Sequence, residues 1–276
     1  MSLVVGLDAG GTKLAVAVVD LSNGRILEAC ETATDRHRGG GAVLRDCVEL
    51  VRRVVATRSV TAIGIGVPEL VSLEGQIQSA ANWDWRDGSW KSAFSLIAPV
   101  HVESDVRAAA LAEARLGAAR AMSSFLYVTI GTGVSHALMI GGAPWRGARG
   151  NAIVSGAPSV EIVASGSALA ARAGKLRAED VLASASDEAI VLDVVATLGL
   201  ELARLVNALD PEAVVIGGGL GLAPGFMERI VEKMRPEIYA DSTRNLPVLP
   251  GALGVQAGVI GAALAAHEAL DDSGAS

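Results

Sequence analysis

Val5-Gly6-Leu7-Asp8-Ala9-Gly10-Gly11-Thr12-Lys13 is the stretch on which the reading of this chain turns. Leu3 to Asp8 is a short apolar strand that stops at an acid and two glycines, and Leu14 to Val19 is a second strand that follows at once. Asn23-Gly24 supplies a tight turn into a third strand around Ile26 to Glu31, which predicts an antiparallel meander. Glycines in the first turn let backbone N–H groups approach phosphate oxygens without a Cβ in the way, and the Thr12 hydroxyl and Lys13 ammonium add donors. Asp8, at the strand end, is placed to hold a hydrated Mg²⁺, which takes one or two carboxylates together with phosphates. A plain Gly-Gly hairpin is the alternative; the complete Asp-x-Gly-Gly-Thr-Lys string favours phosphate.

Working outward, Val43, Leu44, Cys47, Val48, Val51, Val54 and Val55 recur at helical spacing between Gly41 and Ala56. Ile63 to Val67 reads as a buried strand ending at Pro68. A polar-aromatic loop, Asn82-Trp83-Asp84-Trp85-Arg86-Asp87-Gly88, precedes one more strand at Val100 to Glu103. Ser104-Asp105 then leads into an Ala-rich helix from Val106 to about Arg120. After that the pattern begins again. Phe125 to Ile130 is a strand, Gly131-Thr132-Gly133 a glycine turn, and Ser135 to Ile140 a second strand. Helical stretches follow near Ser167 to Ala173, Ala178 to Ala185 and Asp187 to Asn207. Val214 to Ile216 is a buried strand running into Gly217-Gly218-Gly219. Phe226 to Met234 is a helix, Pro247 to Leu249 a strand, and Ala257 to Leu270 a closing helix. Both halves open with strand, glycine turn, strand, the outline of a duplicated fold.

Composition narrows the function. Of 276 residues 51% are apolar but only 3% aromatic, so Ala, Val, Leu and Ile must build the cores, as suits helix-on-sheet layers. A formal charge of −7 argues against non-specific nucleic-acid binding, which needs a basic field. Cys30 and Cys47 are the only cysteines and read as two reduced thiols, although a bond between them is the alternative. The four histidines are scattered, so a zinc site has no ligand set. No apolar run reaches the length of a membrane span, and the first strand has no basic segment before it; a cytoplasmic protein is expected.

Thr129 to Gly133 repeats the design of the first glycine turn, so two hairpins can grip a triphosphate. Gly217-Gly218-Gly219 lacks the spacing of a dinucleotide fingerprint; it reads as a surface for an adenine ring, or as a plain strand-to-helix turn. Asp105, at a strand-to-helix junction between the halves, is either a simple N-cap or the base that receives a proton from an accepting hydroxyl.

The ordered set of motifs resembles the ROK family (repressors, open reading frames and kinases) of the actin-like superfamily. The phosphate-1 motif is similar to Val5–Lys13, phosphate-2 to Thr129–Gly133, the family's Gly-x-Pro to Gly66-Val67-Pro68, and its Asn-Asp-x-Asn helix start to Ser104-Asp105-Val106-Arg107. Val215–Gly219 and Leu253–Ala263 resemble the adenosine and closing-helix segments. The resemblance implies an α/β fold of two actin-like (ribonuclease H-like) domains around an interdomain ATP and substrate cleft. Residues 1–106 with 257–276 would form the smaller domain and residues 107–256 the larger. It implies ATP and Mg²⁺ held by Asp8, Gly10, Gly11, Thr12, Lys13, Gly131, Thr132, Gly133, Gly217, Gly218 and Gly219, with Asp105 as base. Small-molecule sugars or sugar-like molecules are the expected partners, without nucleic acid or membrane, and a homodimer is the family-level expectation.

The departures lie on the acceptor side. Ser104 and Arg107 replace two asparagines, Val154 and Ala157 replace the sugar-binding Glu and His, and the zinc-binding cysteine loop is missing, so no zinc is expected. Glu161 resembles the remaining sugar carboxylate. Asn82, Ser104, Asp105, Arg107 and Glu161 are therefore the expected acceptor residues, with Asn151 as a further donor; Arg107 is otherwise a solvated helix residue. A kinase of a hexose, amino sugar or cyclitol with an altered acceptor is the leading expectation. A non-catalytic sugar-responsive regulator and a nucleotide-binding pseudoenzyme are the alternatives.

Overall fold

The computed structural model describes residues 2–152 and 158–274 of the chain. In chain order its elements are β1 (Leu3–Ala9), β2 (Lys13–Asp20), β3 (Arg25–Ala33), α1 (Gly40–Val55), β4 (Ala62–Val67), α2 (Ser89–Phe94), β5 (Val100–Ser104) and α3 (Asp105–Arg115). There follow β6 (Ser124–Ile130), β7 (Val134–Ile140), β8 (Ala143–Pro144), α4 (Pro158–Ala164), α5 (Gly166–Arg172), α6 (Ala178–Leu182) and α7 (Glu188–Leu209). The chain closes with β9 (Val214–Gly217), α8 (Phe226–Met234), β10 (Val248–Pro250) and α9 (Ala257–Gly274).

Two compact units share these elements. The first comprises Met1–Leu116, Arg146–Ala152 and Gln256–Ser276; the second comprises Gly117–Trp145 and Ile153–Val255. The first unit's sheet has the order β3-β2-β1-β4-β5, in which β1 to β3 form the antiparallel meander and β4 and β5 run parallel to β1. The second unit's sheet, β10-β9-β6-β7-β8, repeats that plan: β6 to β8 are antiparallel, and β9 and β10 run parallel to β6. The duplicated outline in the sequence is thus a duplicated topology.

Helix α1 forms because Val43, Leu44, Cys47, Leu50, Val51, Val54 and Val55 fall on one buried stripe. Each such side chain contributes about 1.5–3 kcal/mol when fully buried. On the other side of that sheet α9 lies so close that only glycine fits. A Cβ on Gly6 or Gly64 would run into the backbone carbonyls of Val259 and Ala262, and one on Gly261 into that of Ala108. This packing of α3 onto α9 draws the whole of α3 into the first unit, ten residues past position 106.

The helix from Asp105 ends at Arg115, earlier than its alanine run suggests, and Gly117 follows shortly after. Helix α7 buries Val191, Val194, Val195, Leu198, Leu202, Leu205 and Val206, and Asp210 caps it in the left-handed conformation (φ 44°). Three short elements, α2, α4 and β8, carry no strong periodic signal. Cys47 is buried and Cys30 half-buried, both as free thiols; burial pushes the Cys47 thiol up to about 12. Among the described residues no helix is long and apolar enough to cross a membrane.

Candidate active site

In the first unit the parallel strands β1, β4 and β5 all end on the same edge of the sheet. Register places Asp8 opposite Gly66, and Gly66 opposite Glu103. Asp105 follows two residues beyond Glu103, so the two acids singled out in the sequence hang from the carboxyl ends of β1 and β5, the strands on either side of β4. That edge is where open α/β sheets receive ligands.

The turn after β1 is closed by the Gly10 N–H donating to the Lys13 carbonyl at 3.0 Å. Thr34, directly after β3, anchors it: its hydroxyl donates to the Gly10 carbonyl at 2.7 Å and its N–H to the Thr12 carbonyl at 2.9 Å. A Cβ on Gly11 would strike the Asn82 side-chain oxygen, so Asn82 lies directly over the turn. Lys13 pairs with Glu31 at 2.8 Å, with both groups well exposed, a contact of little energetic weight.

Asp8 is half-buried, and burial pushes its carboxyl up to about 6 against the opposing charge of Lys13. Its Oδ2 abuts Gly258 at the start of α9, where a Cβ would collide with it, so the carboxylate faces the positive end of that helix. A single carboxylate held back from ionising, beside a glycine turn, fits a hydrated Mg²⁺ that takes its remaining oxygens from phosphate and water. Among the described residues no group of three His, Cys, Asp or Glu side chains could hold a metal by itself.

The second unit builds a matching edge. The Gly131 N–H donates to the Gly133 carbonyl at 2.9 Å, and α5 braces the turn through the Gly166 N–H on the Gly131 carbonyl at 2.8 Å and the Ser167 N–H on the Thr132 carbonyl at 3.2 Å. The three late glycines have different reasons to be glycine. A Cβ on Gly217 would strike the Tyr127 hydroxyl, and one on Gly218, whose φ is 81°, would press into the Ile130 backbone. Gly219 has nothing within 4 Å of where a Cβ would stand, and Gly131 meets only the Gly219 nitrogen, at 3.9 Å. Packing explains the first two, whereas Gly131 and Gly219 together leave a bare patch of backbone that a side chain would fill. Glu161 on α4 reaches this turn, since a Cβ on Gly133 would collide with its Oε1.

Ser104, not Asp105, occupies the N-cap position of α3, and its side chain makes no capping bond. Asp105 is the first helical residue, half-buried, with Oδ1 accepting the Val106 N–H at 2.6 Å. Arg107 is neither solvated nor open: it is 4% exposed, and its Nε donates to Glu103 Oε1 at 2.8 Å, its Nη1 to the Gly150 carbonyl at 2.5 Å and its Nη2 to the Val71 carbonyl at 2.7 Å. Glu103, 2% exposed, also accepts the Ser104 N–H at 2.7 Å and pairs through its second oxygen with Arg146. The guanidinium of Arg107 is thus engaged by protein acceptors.

Sequence reasoning passed over Glu69. This buried acid follows Pro68 and accepts the Ser79 hydroxyl and the N–H groups of Ala81 and Asn82, so it shapes the loop that carries Asn82. Trp85 pins the same loop by donating Nε1–H to the Gly40 carbonyl at 2.9 Å. An acid directly after Gly-x-Pro was the available signal. Asn151 is exposed, and Val154 and Ala157 lie outside the described residues.

The sequence matches the ROK family over residues 4–157 and 155–269. A glucokinase of Halalkalibacterium halodurans is 30% identical, the match covering 93% of this chain and 92% of that one. The bifunctional enzyme NanE/NanK of Brucella melitensis is 32% identical over 95% of this chain and 53% of its own length. Among solved structures, a ROK family glucokinase from Streptomyces griseus in complex with glucose and AMPPNP superposes with a TM-score of 0.86 at 27% identity, covering 97% of this chain and all of that one. Family match and shared fold together span almost the whole sequence: the chain belongs to the ROK family.

Proposed function

We propose that this protein transfers the γ-phosphoryl group of ATP to a hydroxyl of a hexose, an amino sugar or a sugar-like cyclitol, with Asp105 as the base. The chain is an ATP-dependent carbohydrate kinase. The observation that carries the residue assignment is the common sheet edge of the first unit, where a phosphate-type glycine turn with Asp8 ends β1 and Asp105 follows β5, the two parallel strands that flank β4.

The backbone N–H of Gly11, with Thr12 and Lys13, holds phosphate oxygens in the first unit, in the turn that Gly10 closes. Thr132 and Gly133 do so in the second, in the turn that Gly131 closes, where the bare backbone at Gly219, set up by Gly217 and Gly218, receives the adenine. Asp8 would hold Mg²⁺ through water and phosphate; the ion supplies charge neutralisation on the β- and γ-phosphates. Asp105 takes the proton of the accepting hydroxyl as its oxygen bonds to the γ-phosphorus, and ADP departs with the bridging oxygen. Asn82 and Ser104 orient the acceptor in the first unit.

The altered wall supports an acceptor other than glucose. Val154 and Ala157 stand where the resemblance leads one to expect a carboxylate and an imidazole, and a sugar hydroxyl left without a partner costs about 1–3 kcal/mol. The test is coupled ADP release over glucose, its deoxy and amino analogues, N-acetylmannosamine, fructose and inositols, with Val154→Glu in parallel. Glucose should be a poor acceptor that improves in the variant. Efficient glucose phosphorylation, unimproved by Val154→Glu, would remove the altered wall as the selector. ATP binding without turnover on any acceptor would instead mark a nucleotide-binding regulator.

A further inference from the structure

Seven residues, Arg146–Ala152, leave the second unit's stretch of sequence to join the first unit. They dock at the start of α3, and buried charge holds them there. Arg146 pairs with Glu103, and Arg107 reaches the Gly150 carbonyl. Gly150 has φ 80°, and a Cβ there would press into the backbone of Ser72 and Leu73. Arg107 also holds the Val71 carbonyl in that neighbouring turn. The common anchor is Glu103, whose Oε1 accepts both the Arg107 Nε–H and the N–H of Ser104, the residue directly before the base.

We infer that Arg107 is a positioning residue for Asp105: its fork ties the 146–152 strap and the turn at Val71 to Glu103, and Glu103 fixes the strand-to-helix junction from which the base projects. This rests on the kinase reading above. The planar guanidinium is what the task requires. Its donors point in fixed directions toward a carboxylate and two carbonyls, which a lysine ammonium could not satisfy together. Glu103 is buried, so removing the cation leaves a carboxylate with Arg146 as its remaining charge partner and frees the strap.

The experiment compares the full-length chain with Arg107→Lys, Arg107→Met and Gly150→Ala, the last displacing the strap while leaving the charges in place. Three quantities are read: turnover on the best acceptor of the sugar panel, affinity for a non-hydrolysable ATP analogue, and amide hydrogen exchange at Ser104 and across residues 146–152. All three variants should lose at least ten-fold in kcat on the acceptor, with nucleotide affinity within two-fold of the parent and exchange at the strap at least ten-fold faster. Arg107→Lys should recover the thermal stability lost in Arg107→Met without recovering turnover, a separation that charge neutralisation alone would not produce. Normal kcat in Arg107→Lys, or unchanged exchange at the strap in both Arg107→Lys and Gly150→Ala, overturns the inference. If the parent phosphorylates nothing in the panel, the kinase reading fails by itself, and exchange at Ser104 and the strap still decides the clasp. If Arg107→Met does not fold, Gly150→Ala carries the same test.

Discussion

The two sheets share a plan but not a chemistry. Asp8 lies opposite Gly66 in the first sheet as Thr129 lies opposite Gly217 in the second, so the register puts a carboxylate and a hydroxyl at matching places. Both units follow that position with a glycine turn closed by a backbone hydrogen bond. Only the first places further acids, Glu103 and Asp105, at the end of its outer parallel strand. On the proposed reading, duplication has kept a glycine turn for phosphate in both halves and left the acid–base and metal chemistry to one. The reason is physical: N–H groups serve phosphate wherever glycine exposes them, whereas a proton acceptor has to be held against one reacting oxygen.

The largest effect expected from this asymmetry is on Asp105. Asp105→Asn should lower turnover by about 10²–10⁴-fold while nucleotide binding stays near normal. Thr132→Ala in the second unit should chiefly weaken ATP binding. Steady-state kinetics with calorimetry of an ATP analogue checks both, and near-normal turnover of Asp105→Asn would strip the first unit of its base.

The glycines give the next contrast. Gly64→Val should destabilise the first unit by about 3 kcal/mol or prevent folding, because the new side chain meets backbone of α9 and not a movable side chain. Gly219→Ala meets nothing, so denaturant unfolding should be unchanged while ATP affinity falls. A destabilised Gly219→Ala protein, or one with parental ATP affinity, would return that glycine to plain packing.

Asp8 sharpens the comparison through pH. Its carboxyl is raised in the folded, nucleotide-free protein from an ordinary 3.8 to about 6, so the fold favours the protonated form. Stability from that preference is present below the unfolded value and is lost as pH rises toward about 6. Asp8→Asn lacks this loss. Its unfolding free energy should exceed the parent's by on the order of 1–3 kcal/mol at neutral pH, a gap opening between about pH 4 and 6, although Mg²⁺-dependent ATP binding should be impaired. Parallel stability curves for the two proteins would show that burial does not hold Asp8 back.

The smallest effect is expected of zinc. A zinc-selective chelator should alter neither unfolding nor turnover, whereas removing Mg²⁺ should abolish turnover. Stoichiometric zinc in protein purified without added metal would contradict the first expectation.

How much of this was legible in the sequence depended on how local the signal was. Both strand–glycine turn–strand openings, the stripe of α1 and the strand leading to Ser104-Asp105 were readable, because period and turn chemistry act within a few residues. The alanine run after Asp105 suggested a longer helix than forms, since helix propensity does not show where packing against α9 ends. Glu69 was passed over. Its burial follows from loop residues ten to thirteen positions away.

The sequence alone was enough to establish the duplicated α/β plan, the two glycine turns and the strand-to-helix junction at Asp105. Each is written in adjacent residues whose backbone geometry and side-chain chemistry leave few alternatives. Tertiary structure decided which glycines are packed and which are bare, and it decided what Arg107 does. The two carbonyls its guanidinium holds lie 36 and 43 positions away. Only the folded chain brings Val71 and Gly150 to one buried guanidinium, because hydrogen bonds across such separations follow the packing of whole segments and leave no period to read.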